Sequence, residues 1–180
     1  GLLSDELFFD PNLPGASWPQ FSEMDLGSIR IDNASATNYF LDLGELRFFA
    51  DDLVRRVEEI EFDDESLKEE ALFVGKFYGG VARYFYAVYW GLSEEQGGGV
   101  IDNGPFIPSD DMYNQAIEKF QDALNHTSDE YEKRVTNSLM ARISLYKGDF
   151  TSAQNYAQLG SEERDAASQA LDLVAVLKYW

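Results

Sequence analysis

The chain contains no cysteine. Disulfides, a thiol nucleophile and cysteine-ligated zinc are therefore excluded, while the redox compartment stays open. Histidine occurs once, at His126, so there is no second imidazole to complete a histidine metal site. His126 falls at the predicted end of a helix, where it reads as a surface group complementing the helix dipole. Positive charge is scarce: 14 Lys and Arg stand against 33 Asp and Glu, for a formal net charge of −19. Nucleic acid is a poor partner for such a chain, because phosphate contacts need a basic stripe. No apolar run approaches the roughly 18 residues that mark a membrane-spanning helix. The chain opens at Gly1 with no visible signal peptide, and we read it as a mature or engineered fragment whose targeting region is absent.

What is present is apolar and aromatic: 44% and 14% of residues, enough for a packed core and too much for disorder. Residues 1 to 34 read as an irregular arm, since Pro11, Pro14, Gly15, Pro19 and Gly27 interrupt any helix. Leu7, Phe8, Phe9, Trp18 and Phe21 would pack that arm onto a core. Residues 35 to 108 read as two long helices followed by a glycine- and proline-rich loop. The first helix spans about Ala36 to Ile60, with an apolar stripe of Leu43, Leu46, Phe49 or Ala50, Leu53, Val57 and Ile60. Asp51, Asp52, Arg55, Arg56, Glu58 and Glu59 fill its wet face.

The second helix spans about Glu65 to Trp90. Gly75, Gly79, Gly80 and Ala82 make it small-sided, and each glycine costs about 1 kcal/mol against alanine, which points to a close backbone crossing. Its aromatic tail, Tyr84 to Trp90, predicts burial on most sides.

Residues 109 to 180 read as helical hairpins. Ser109 is the expected N-cap of a helix from Asp110 to Asn125, and Thr127 with Glu130 forms a capping box for the next, ending near Lys147. Gly148 turns the chain, Asp149 caps a helix from Phe150 to Leu159, and Ser161 caps a last one. The segment from Tyr113 to Leu124 is echoed from Phe150 to Gly160: Tyr113 matches Phe150, Ala116 matches Ala153, Gln121 matches Gln158 and Ala123 matches Gly160. A weaker echo sets Leu173, Ala175, Leu177 and Tyr179 against Leu139, Ala141, Ile143 and Leu145. Small residues at this spacing, with an aromatic entering each helix, are the mark of stacked helical hairpins. The fold class expected is all-α, a tetratricopeptide-like stack behind an irregular N-terminal arm.

Three stretches together resemble one family. They are EALFVGKFYGGVARYFYAVYWG (Glu70 to Gly91), PSDDMYNQAIEKFQDAL (Pro108 to Leu124) and ARISLYKGDFTSAQNYA (Ala141 to Ala157). In order and spacing they look like the amino-terminal helical part of the SusD/RagB family of outer-membrane nutrient-binding lipoproteins of Bacteroidetes-type bacteria. Lys76 and its neighbouring glycines replace the family's Arg-Ala pair, and Asp51 stands about where the long helix often has Asn.

The resemblance implies a non-catalytic cell-surface protein, lipid-anchored at the outer membrane through a cysteine outside this chain. It also implies a partner, a SusC-like TonB-dependent transporter, and a glycan or other oligomeric nutrient as ligand. No cofactor, metal or catalytic residue comes with it.

The loop of residues 91 to 108 is the best local ligand candidate from sequence. Trp90 and Phe106 could stack on a sugar face while Asp102 and Asn103 bond its hydroxyls. The paired carboxylates Asp51/Asp52, Asp63/Asp64/Glu65, Asp110/Asp111 and Glu162/Glu163 read as caps and wet faces rather than a glycosidase pair. The rival function is a tetratricopeptide adaptor holding a peptide in a groove lined by Asn137, Arg142 and Lys147.

Overall fold

In the computed structural model, residues 9–10, 12, 19–90, 99–100 and 106–161 are described, the side chains at 99, 100 and 106 excepted. Among the described residues six helices carry the fold: α1 (Pro19–Asp25), α2 (Ala34–Glu59), α3 (Glu65–Tyr89), α4 (Ser109–Leu124), α5 (Glu130–Tyr146) and α6 (Phe150–Ser161). The all-α class read from the sequence is the observed one, and no described helix is long and apolar enough to cross a membrane. The chain divides into two compact units, Gly1–Glu45 and Leu46–Trp180.

The first unit corrects the irregular arm. A seven-residue helix, α1, begins at Pro19. Proline breaks a helix interior, but at the first position its missing N–H costs nothing and its fixed φ suits the helix. Gly27, at φ 63°, ends α1, with the Ser28 N–H returning to the Glu23 carbonyl at 2.9 Å. Asn33 then organises the unit from a buried position. Its Oδ1 accepts from the Ala36 N–H at 3.1 Å and so caps α2, while its Nδ2 donates to the Gln20 carbonyl and to Glu23 Oε2.

In the second unit the α2 stripe resolves in favour of Ala50, which is buried with Val54 and Val57, while Phe49 and Ile60 are exposed. Val54 and Val57 pack with Leu72 of α3. The glycines of α3 explain how closely these helices approach. A Cβ on Gly75 would stand 2.7 Å from Val54 Cγ2 and 3.0 Å from the Ala50 carbonyl oxygen. One on Gly80 would stand 2.8 Å from the Phe120 ring of α4. The close crossing expected from the glycines is present at both sites.

Helix α3 packs on α4, α4 on α5 and α5 on α6. The main core lies among the first three of these: Tyr84, Ala116, Phe120, Met140 and Ile143 are buried together. Gly160 of α6 repeats the device, lying so close to α5 that a Cβ would meet Ser138 Oγ at 2.6 Å.

Several caps differ from the sequence reading. Ser109 lies inside α4, after Pro108, and its hydroxyl donates to the Ala87 carbonyl at 2.9 Å, tying the start of α4 to the end of α3. Asp129, not Thr127, caps α5 by accepting from the Glu132 N–H; Thr127 Oγ1 bonds the Glu132 carboxylate instead. Asp149 caps α6 as expected, through the Ser152 N–H at 3.0 Å. Ser161 is the last residue of α6, and the final helix and weak third echo lie outside the described residues. The insertion between α3 and α4 contains a feature the sequence did not announce. Gly99–Val100 and Phe106–Ile107 pair antiparallel, Gly99 opposite Ile107, which returns the chain to the head of α4.

Candidate functional site

Three helices bring one tyrosine each to the same place: Tyr84 from the end of α3, Tyr113 from the start of α4 and Tyr146 from the end of α5. Antiparallel packing of successive helices is what joins these ends. The Tyr84 and Tyr146 rings stack with centroids 6.4 Å apart and planes 9° apart, and Tyr113 stands 6.5 and 6.3 Å from them. Arg142, one turn before Tyr146, donates from Nε to the Tyr146 hydroxyl at 3.2 Å and lies 5.9 Å from its ring centroid. Tyr89 stacks on Phe85 at 6.0 Å and reaches Trp90 edge-on at 5.8 Å. Tyr84 is buried, but Tyr89 is 42% exposed and Tyr146 49%. The result is an aromatic surface with a cation in it, rooted in the core.

The electrostatics follow from that depth. Burial pushes the Tyr84 hydroxyl far above the ordinary tyrosine range; Arg142 pulls it back in part, and the neighbouring Tyr146 raises it further. Burial also raises Tyr113 and Tyr86. Tyr146 moves the other way, held below its ordinary value chiefly by the hydrogen bond from Arg142. The Tyr146 oxygen accepts from Arg142, which leaves its own proton free to point elsewhere.

Of the residues singled out from sequence, Trp90 is the C-cap of α3, half-buried against Tyr86 and Tyr89. It borders the tyrosine surface. Asp102 and Asn103 lie outside the described residues, as does the side chain of Phe106, whose backbone is in the second short strand. Arg142, expected in a peptide groove, instead stands beside Tyr146, and the surface that it forms with Tyr89 and Tyr146 was missed. The aromatic tail of α3 was read as buried on most sides, and Tyr89 departs from that. An Arg one helical turn before a Tyr, at a helix end facing a tyrosine-rich neighbour, was the available signal.

Two polar clusters lie elsewhere. Asp51, read as a wet-face residue, is a hub: it receives Arg83 at 2.8 Å, Lys119 at 3.0 Å and Arg47 at 3.4 Å. Burial pushes the Asp51 carboxyl up, but the bonds and charge of Arg83 and then Lys119 outweigh it and hold the group below its ordinary value. Asp52 is shared by Arg55 and Arg56, Asp64 caps α3 and Asp110 pairs with Lys147 at 2.5 Å.

His126 Nδ1 lies 2.8 Å from Glu69 Oε2, joining the α4–α5 turn to α3 rather than merely facing solvent. This pair lines an open cavity of about 500 Å³ with Glu70, Asp129 and Glu132. Among the described residues no three His, Cys, Asp or Glu side chains are grouped to hold a metal ion. Of the three residues expected to line a peptide adaptor's groove, Asn137 is buried and donates to the Lys133 carbonyl, Lys147 is bound to Asp110 and Asn114, and Arg142 is exposed.

No family model, no curated protein and no solved structure matches this chain.

Proposed function

We propose that the chain is the helical part of a non-catalytic, SusD-like cell-surface protein that binds an oligomeric nutrient, a glycan foremost, and partners a TonB-dependent transporter. On this reading the natural protein is held at the outer membrane by a lipid anchor outside the chain. The observation that carries the ligand half of the proposal is the exposure of Tyr89 and Tyr146 beside Arg142 on a rigid three-helix base. Flat rings take the apolar face of a sugar while adjacent donors take its hydroxyls, and rings rooted in a core lose little freedom on binding.

The resemblance of the three helical segments supplies the transporter half. Asp51, Asp52 and Asp110 have ionic partners and Asp64 caps α3, which favours a binding role over hydrolysis at these pairs. Isothermal titration against a panel of neutral and acidic oligosaccharides tests the ligand half. Binding of at least one class, weakened by Tyr89→Ala or Tyr146→Ala with unchanged melting, is the expected result. The adaptor reading has less to support it, because Asn137 is buried and Lys147 is already bonded to Asp110 and Asn114.

A further inference from the structure

We propose that Arg142 with Tyr146 and Tyr89 forms a subsite for a carboxylate-bearing sugar, a uronic acid unit of an oligosaccharide; this inference rests on the nutrient-binding reading above. Arg142 stands out among the cationic side chains of a strongly acidic chain. Arg47, Arg55, Arg56, Arg83, Lys119 and Lys147 each lie within bonding range of a carboxylate. Arg142 is exposed, has Tyr146 as its partner and makes no ion pair with any described residue. The local sequence makes this so. The end of α5, from Ile143 to Tyr146, and the end of α3, from Tyr84 to Trp90, contain no acid, and Asp110 nearby is taken by Lys147.

The donors that remain are arranged for one acceptor. Arg142 spends Nε on Tyr146, which leaves its two Nη groups without a bond among the described residues. The Tyr146 oxygen accepts from Arg142, so its own O–H is available to donate. A planar guanidinium edge and a hydroxyl side by side suit a carboxylate better than a neutral hydroxyl, because charge-assisted bonds are roughly twice as strong. The exposed rings of Tyr89 and Tyr146 then supply flat apolar walls, which a sugar ring uses and a simple inorganic anion does not. The net charge of −19 does not forbid an acidic ligand, since distant carboxylates are screened over about 8 Å at physiological ionic strength and the contact is set by Arg142.

The test is calorimetric titration of the chain with tetragalacturonate and, in parallel, with neutral galactotetraose, for wild type, Arg142→Gln and Tyr146→Phe. Melting curves confirm that both variants fold. The expected result is at least about tenfold tighter binding of the acidic tetramer, a preference that Arg142→Gln abolishes while leaving the neutral tetramer's affinity in place. Tyr146→Phe is expected to reduce the acidic tetramer's affinity several-fold.

Equal binding of both tetramers, or a preference indifferent to Arg142→Gln, overturns the carboxylate subsite and leaves the nutrient reading intact. Binding of neither tetramer overturns it too, and capture of a β-barrel transporter from outer membranes then decides whether the broader reading also falls. Loss of acidic-tetramer binding on addition of an acidic peptide, with no effect of galactotetraose, would assign the Arg142 surface to a protein carboxylate instead and overturn the sugar assignment.

Discussion

Arg83 Nη2 lies 2.8 Å from Asp51 Oδ2 and its Nη1 lies 3.2 Å from Asp51 Oδ1, a two-pronged bond between α3 and α2. Arg83 is buried, and it also donates to the Gly79 carbonyl at 3.0 Å. Removing the acid would strand a buried guanidinium and the Lys119 ammonium together. Asp51→Ala is expected to destabilise the fold by about 3 kcal/mol in urea unfolding, the usual range for breaking a buried pair from one side. An Asp51→Leu/Arg83→Leu double variant is expected to recover part of that loss, because the buried guanidinium is then gone and only Lys119 has lost its partner. Asp51 has its folded-state carboxyl held low, so its contribution is present above an unfolded pKa of about 4 and is lost as pH falls below it.

Glycine in a helix usually welcomes alanine, at a gain of about 1 kcal/mol. Gly75 and Gly80 are expected to reverse that sign. At Gly75 the new methyl would face the Ala50 carbonyl at 3.0 Å, which is backbone and cannot step aside. At Gly80 it would press on the fully buried Phe120 ring at 2.8 Å. Each Gly→Ala variant is expected to lose about 1–3 kcal/mol, read as a lower denaturation midpoint at constant slope.

The glycines of α3 were legible in sequence because their cost in a helix demands a reason, and close crossing supplies one. Helices α2 to α6 were legible from their 3.6-residue periodicity and from the echo of Tyr113–Leu124 in Phe150–Gly160, whereas α1 was hidden by Pro19 and Gly27. Asp51 was not: an acid among acids on a helix flank looks solvated until α3 and α4 bring Arg83 and Lys119 to it from distant sequence positions. The company of Tyr146 and Arg142 was hidden for the same reason: sequence offers Arg142 as a groove residue, but nothing local says which helix ends will meet. Ser109 and Thr127 misled because a hydroxyl beside a helix start can bond a neighbouring helix or side chain as readily as its own backbone.

The tyrosines give the fold an alkaline limit. Burial raises the hydroxyls of Tyr84, Tyr86 and Tyr113, so the unfolded chain ionises them first and stability drops as pH rises past about 10. Tyr146, lowered by Arg142, opposes this only weakly from its exposed position. In a spectrophotometric titration of the folded protein the earliest tyrosinate signal is expected to vanish in Tyr146→Phe, and Arg142→Gln is expected to shift it to higher pH.

Net charge supplies a further expectation. At −19 the chain repels itself, and added salt relieves that repulsion more than it weakens the exposed pairs such as Arg55–Glu59. Raising sodium chloride from about 0.05 to about 0.5 M is expected to raise the melting temperature by a few degrees, as followed by circular dichroism at 222 nm.

The central proposal is a surface nutrient receptor seated on a transporter, and its most direct measurement is affinity capture. The chain would be immobilised, exposed to detergent-solubilised outer membranes of its source organism, and the retained proteins identified by mass spectrometry. Retention of a large TonB-dependent β-barrel is the expected result. Retention of soluble proteins alone, with no barrel, would contradict the proposal and leave the three resembling segments as a shared helical repeat.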